Sequence, residues 1–569
     1  MTPMAPRIDR PSRRGRVRRR ALTAGLMGGA VAYAAAALSQ SPPPAPGAVG
    51  EVAGHVPAQN AQAATAPIRS PGPEPDPIYA AAGRWWAPGQ AGLLEQESAY
   101  ANPYGKLTVR MASGPVEAKG HPFFEPLGAN GRSCATCHQP ADGMSVSADT
   151  VRQRWRETSG RDPLFAAVDG SNCPSLPQAE PASHSLLLDR GLIRVFLPWP
   201  PKAKDGSAIK PEFTIEVVRD PTGCNTDPVY GLRSPNPMVS VYRRPRPVAN
   251  MKYVVGPERG PGSGGLFIAK NGLPAAMDPE TGRPVSMQIM SDAREPTLKT
   301  QAVEAAITHL QTGGKLTEGQ LKQIVDFEMQ VYAGQTDSRI GGSLVDPGGP
   351  PALGPRNLQS ASNGVLGDYL DNPVFKSFEM WKAPVPGETP AQRSFRESVA
   401  RGADVFFLRP FWISNVMHLN TVGMGNPAKR TCATCHNMQM TGMDLSNGWM
   451  DLGTTNLPTA MDPYPSPYSP AKPEMPLFKI TCDKSVPPHP FYGRVIYTQD
   501  PGRALISGKC NDVGAIVMQQ FRGLAARAPY FSNGSAKTLR ELVDFYDRRF
   551  DIKYSEQEKQ DLINFLSVL

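Results

Sequence analysis

A chain of 569 residues has room for roughly two to four domains with substantial cores. Its net charge of +9 is concentrated at the start: residues 1–20 hold eight Arg and one Asp, which leaves +2 for everything that follows. No basic surface for nucleic acid is therefore expected, and no nucleic-acid partner.

In chain order, the Arg-rich start leads into ALTAGLMGGAVAYAAAAL, Ala21–Leu38, eighteen residues without a charge, and then SQSPPPAPGAVG. A positive n-region, an apolar h-region and small residues describe an export signal. The stretch also lies at the lower limit of a membrane span. Residues 1–38 thus read as a signal peptide or a membrane anchor, the second leaving a tether through 21–38. Either reading places the folded part in the periplasm. Residues 39–76 are Pro- and Ala-rich without apolar periodicity and read as a disordered linker.

The first folded region is expected over 77–335. It contains CATCH at Cys134–His138, and the same pentapeptide returns at Cys432–His436. Two thiols three residues apart can form thioethers to the vinyl groups of a haem, while the following His reaches the iron. Half a zinc site is the competing reading, but no second ligand pair lies within about 25 residues of either copy. A thioredoxin-like redox pair does not call for the His. Two covalently bound haem c groups are expected, on Cys134, Cys137 and His138 and on Cys432, Cys435 and His436. His138 and His436 are the proximal iron ligands.

Between residues about 185 and 290, LIRVFLPWPP, EFTIEVVRD and MVSVYRRPRPV are short β-branched runs between Pro and Gly turns, a small strand-containing insertion. The remaining cysteines, Cys173, Cys224, Cys482 and Cys510, allow three connectivities. The local pairs Cys173 with Cys224 and Cys482 with Cys510 are favoured, with free buried thiols the alternative.

Helix signals return after Pro296. Val303, Ala306, Ile307 and Leu310 form one apolar stripe, and Thr317–Gln320 is a capping box before Leu321, Ile324 and Val325. Residues 336–390 read as an interdomain connection and 391–569 as a second, C-terminal haem domain. There GADVFF precedes the second CATCH, Thr538 with Glu541 and Ser555 with Glu558 start helices, and Leu539, Leu542, Val543 and Tyr546 share a face. The expected fold is mainly α: two tandem cytochrome c-like haem domains with a small strand-containing insertion in the first.

The two CATCH motifs, SDAREPTLKTQA at Ser291–Ala302, TEGQLKQIVDFE, and RGLAARAPYFSNGSAKTLRELVDFY at Arg522–Tyr546 resemble the bacterial di-haem cytochrome c peroxidase superfamily. That group also holds a tyrosine-ligated maturase and the di-haem rubber oxygenases. The resemblance implies an exported oxidoreductase of peroxidase type. Its C-terminal haem would relay electrons, received from a small c-type cytochrome or cupredoxin, to an N-terminal haem that handles peroxide or oxygen. A pure electron-transfer cytochrome and an oxygenase acting on an organic substrate are the alternatives. Relatives also hold a calcium ion between domains, a point the sequence leaves open.

The departures from the group matter. Where relatives carry an aromatic bridge between the haems, this chain has Met290-Ser291-Asp292-Ala293-Arg294. Gln301 falls at the distal-pocket glutamine, but Gln311 stands where the catalytic glutamate is expected, and an amide cannot shuttle a proton. His309 is the nearest replacement, as distal ligand or general acid–base, with a purely structural histidine the competing reading. Tyr546 falls at the position of the second haem's sixth ligand, with a core tyrosine as the plain alternative and Met438, Met440 and Met443 as rivals. Ser532 replaces a histidine of the motif. His121, His184 and His418 carry no assignment.

Overall fold

The structure is a computed structural model that describes residues 77–255, 288–360, 377–417, 425–436, 449–456 and 473–569, apart from 82, 91 and 352. The expected leader and linker, His418, Met438, Met440 and Met443 lie outside the described residues. The chain divides into Met1–Thr65, also outside them, and Ala66–Leu569, which holds both CATCH motifs.

The first sheet starts from a hairpin, β1 (Glu97–Asn102) and β2 (Gly105–Met111), paired antiparallel. Asn102 sets the turn: its Oδ1 accepts from the backbone N–H groups of Tyr104 and Gly105 at 3.0 and 3.1 Å. At Gly105, φ is +154° and an added Cβ would lie 2.0 Å from the Asp337 carbonyl oxygen, so only glycine fits. Leu107, Val109 and Met111 of β2 point inward with period two.

Three further strands fall on the β-branched runs: β3 (Ile193–Pro198), β4 (Phe213–Arg219) and β5 (Met238–Arg243). β3 pairs with β5. The first sheet is completed by β6 (Val331–Ser338), which pairs with β2. In the second half, β7 (Phe411–Ile413) pairs with β8 (Ala428–Arg430), whose end leads into the second CATCH. β9 (Leu477–Cys482) lies between β4 and β10 (Val495–Thr498), so one sheet joins strands from both halves of the sequence.

Of the helices, α1 (Ala148–Thr158) follows the first CATCH. Next come α2 (Leu298–Thr308), capped by Thr297, and α3 (Glu318–Gln330), capped by Thr317 with Gln320. α4 (Pro390–Leu408) crosses the C-terminal α6 (Glu556–Ser567), and α5 (Leu539–Arg549) starts at Thr538 and packs on α6. Around that crossing Val399, Ala403, Phe406, Phe407, Leu562 and Phe565 form a core that includes Cys435. A second core, with Leu107, Phe123, Phe124, Ile324 and Phe327, includes Ala135 of the first motif. Disulfides join Cys173 to Cys224 and Cys482 to Cys510, with Cα–Cα distances of 5.1 and 5.8 Å.

The expectation of a mainly α chain of two tandem cytochrome c-like domains is not met. Among the described residues the fold is mixed, 31% helical and 19% strand, with nine α-helices and six small sheets. The reason is physical. Helix periodicity is local and shows in a single stretch, whereas strands such as β2 and β6 pair across more than 200 residues, Leu107 opposite Gln335. Short strands carry no signal of their partners. A second correction concerns α2. Its buried residues are Leu298, Ala302 and Ala306, with Leu310 buried just beyond it, and Ile307 is 52% exposed. Of the expected stripe Ala306 and Leu310 are buried and Val303 packs against the core, so Ile307 alone departs, because the helix turns its small residues inward.

Candidate functional site: two clefts at the CATCH motifs

Each CATCH is a single 3₁₀ turn, Cys134–Thr136 and Cys432–Thr434. The threonine closes it: Thr136 Oγ1 accepts from the N–H of Ser133 at 3.0 Å, and Thr434 Oγ1 from that of Thr431 at 3.3 Å. His138 and His436 each donate their backbone N–H to the carbonyl of the first cysteine, at 3.2 and 3.0 Å. Both cysteines and the histidine of each motif thereby line one cleft.

The N-terminal cleft encloses about 1280 Å³ of atom-free space, mouth included. His138 Nδ1 lies 3.1 Å from the Met144 carbonyl and donates to it, leaving Nε2 as the ring's open nitrogen. Burial pulls the ring down to about 4, so it is neutral, the state a metal ligand requires. Burial also pushes the Cys134 and Cys137 thiols upward.

α2 carries Gln301, Ala302 and Ala305 into the lining of this cleft and ends at His309. His309 Nδ1 lies 2.5 Å from Asp169 Oδ2, and the other carboxylate oxygen accepts from Arg132. Arg132 is held in turn by the carbonyls of Pro163 and Leu164, each at 2.7 Å. Burial works against the Asp169 carboxylate, but Arg132 and His309 outweigh it and hold its pKa below the ordinary carboxyl value. The histidine ring is thus fixed by a buried ion pair. Gln311 is exposed and outside the lining.

Sequence reasoning missed Asp169, Arg132 and Glu328. The first two carry no local pattern. Glu328 had a signal: with Leu321, Ile324 and Val325 it completes an i, i+3, i+4, i+7 stripe, an acid on an apolar face. It is 3% exposed and lines the cleft, its Oε2 has no hydrogen-bond partner among the described residues, and burial pushes its carboxyl up to about 8. Met290, Ser291 and Arg294 also line this cleft, and among the described residues no Phe, Tyr or Trp ring does. Asp292 is turned away into ion pairs with Arg243 and Arg294.

The C-terminal cleft encloses about 1480 Å³ on the same measure. Tyr546, on α5, places its hydroxyl 3.4 Å from His436 Nε2. Phe521 flanks the His436 ring with centroids 4.7 Å apart. Burial pushes the Tyr546 phenol well above its ordinary value, so it keeps its proton unless a cation is brought against it. Ser532 lines this cleft too.

Of the unassigned histidines, His184 and His121 have structural partners. His184 meets the carbonyls of Gly170 and Gln178 at 2.6 and 2.9 Å, and His121 packs on Phe124 and Phe327. Among the described residues no group of three or more His, Cys, Asp or Glu could by itself hold a metal ion. Nor is any described helix long and apolar enough to cross a membrane.

The donor sets fit two haem c groups. In each cleft two thiols and one imidazole come from a single tight turn, and a second imidazole or a phenol shares the lining. No protein-family model matches the chain, and no curated protein matches it. Among solved structures, hydrazine synthase of Kuenenia stuttgartiensis, studied under 20 bar xenon, aligns with 58% of this chain and 73% of its own at 13% identity. The TM-score of 0.26 is too low to carry an argument about fold or activity.

Proposed function

We propose that the protein is an exported, periplasmic di-haem c-type oxidoreductase of the peroxidase superfamily, in which electrons enter at the C-terminal cleft and peroxide or oxygen is handled at the N-terminal one. The observation that carries this reading is the His309–Asp169–Arg132 chain beside the cleft that His138 lines. When bound, haem iron supplies a redox centre able to exchange electrons with an oxidant.

The protein's own residues supply protons and position. Reducing one hydrogen peroxide to two waters takes two electrons and two protons. Asp169 accepts the Nδ1 hydrogen bond of His309, which leaves Nε2 to take up or deliver a proton. Arg132 keeps Asp169 ionised, so tautomer and ring orientation persist through turnover. Gln301 offers both a donor and an acceptor on the same helix. The electron donor is a small c-type cytochrome or cupredoxin. In the second cleft, His436 and Tyr546 would hold the iron of a bound haem, their ring nitrogen and hydroxyl lying 3.4 Å apart.

A second reading, an oxygenase acting on an apolar organic substrate, is favoured by the aliphatic lining of the N-terminal cleft, which includes Val248, Met251, Val254 and Ile289.

The test is electron paramagnetic resonance with optical spectra on the exported protein, before and after hydrogen peroxide. A high-spin ferric signal lost on peroxide addition is expected. Asp169→Asn should keep both haems and slow that reaction about 10–100-fold. Two low-spin signals indifferent to peroxide would refute the reading and leave an electron carrier.

A further inference from the structure

The two clefts share a wall: Arg244, Pro245 and Gln519 line both. It is built of two backbone segments, the tail of β5 through Arg246 and the stretch Val517–Gln520. Arg246 stitches them together by donating to the carbonyls of Val517 and Met518 at 3.1 and 3.2 Å.

Three arginines of this wall have an unusual setting. Among the described residues Arg244, 7% exposed, donates only to carbonyls, those of Val146, Arg190 and Arg527 at 2.6, 3.1 and 2.9 Å, and Arg246 meets only the two carbonyls already named. Arg527 donates to the Gln520 carbonyl, and its Nε is buried without a partner. Among the described residues no carboxylate pairs with any of the three. Arg243, next in sequence to Arg244, shows the contrast, since it grips both Asp292 and Asp500.

Burial pulls Arg244 and Arg246 down to about 10 and Arg527 to about 9. Guanidinium remains charged at neutral pH even so. Asp142 and Asp292 act on Arg244 and Arg246 only from beyond contact distance. Three cations with no carboxylate in contact are costly in a low-dielectric wall, and an anion arriving from the clefts would offset that cost. Only Arg246 of the pair Arg246 and Arg527 lines the N-terminal cleft, and only Arg527 the C-terminal one.

We infer that Arg244, Arg246 and Arg527 form one anion cradle for the carboxylates of the two cofactors, Arg246 serving the N-terminal haem, Arg527 the C-terminal haem and Arg244 both. The inference rests on the two-haem reading. It makes the wall an electrostatic link through which the two redox centres share a cation.

The test is spectroelectrochemical titration of the exported protein, with the haem count read first from intact mass and pyridine haemochromogen. Fewer than two haems in the parent protein would overturn the two-haem reading, and the inference with it. With two haems present, losing a nearby cation favours the ferric form and lowers the midpoint potential. Arg246→Gln should lower the N-terminal haem alone, Arg527→Gln the C-terminal haem alone, and Arg244→Gln both. Each shift should be about tenfold in the redox equilibrium, about 59 mV for a one-electron couple. Where a glutamine variant is not exported, the lysine variant at that position takes its place and should move the same haem by less. Unmoved potentials in variants that retain two haems would overturn the cradle, as would equal shifts of both haems in all three.

Discussion

Gly402, in the middle of α4, is the tightest point of the crossing with α6. A Cβ added there would lie 2.0 Å from the Asp561 carbonyl oxygen, 2.6 Å from its carbon and 2.8 Å from Phe565 Cβ. In an exposed helix, alanine is favoured over glycine by ~1 kcal/mol, so propensity alone predicts that Gly402→Ala stabilises. Packing predicts the reverse. The obstacle is backbone, and Asp561 is tied down by Ser398 at 2.5 Å and Arg401 at 2.9 Å. To reach an ordinary contact near 3.4 Å the helices must part by about 1.4 Å, and a gap of ~0.5–1 Å already forfeits a quarter to a half of each dispersion well. Overpacking costs ~1–3 kcal/mol, and a backbone obstacle argues for the upper end. After subtracting the propensity gain, a net loss of about 2 kcal/mol is expected. Phe406 lies against both Phe565 and the His436 ring, so the C-terminal cleft should respond as well. Urea unfolding followed by far-ultraviolet circular dichroism, and by the Soret band of the haem proposed for that cleft, reads both effects. A variant as stable as the parent, or more so, would refute the packing argument.

Glu328 holds a proton up to about pH 8 in the folded protein, while the unfolded carboxyl ionises near 4.5. The folded state therefore binds the extra proton between these values, so stability should fall as pH rises from about 4.5 to about 8, by up to ~4–5 kcal/mol. Glu328→Gln should flatten that slope, which denaturation at a series of pH values would show. Thr538→Ala removes the hydroxyl that caps α5 and should cost ~1 kcal/mol by urea titration, since Tyr546 rides on that helix. Replacing Cys482 and Cys510 by alanine opens a loop with a sequence separation of 28 and should cost ~3–4 kcal/mol of stability by the same assay.

Legibility in the sequence followed the range of the interaction. The caps at Thr317 and Ser555 could be read because a capping box spans four residues. The strands at LIRVF, FTIEV and MVSVY could be read because β-branched runs between turns declare themselves. Ile307 misled because an amphipathic stripe is ambiguous where small residues supply the buried face. Glu328 was overlooked although an acid on an apolar face is visible in the string of residues. Nothing in the sequence tied Asp169 to His309, 140 residues away, or brought β4 beside β9.

The amino-acid sequence by itself determined where the two CATCH turns lie and which histidine follows each pair of thiols, because that pattern is held within five residues. It also determined the local helix starts and the short β-branched runs. Only the tertiary structure decided the mixed fold, the Asp169–Arg132 support behind His309, the approach of Tyr546 to His436 and the arginine wall between the clefts. Each of these depends on side chains brought together from distant parts of the chain, and contacts of that range are set by packing, which no local pattern encodes.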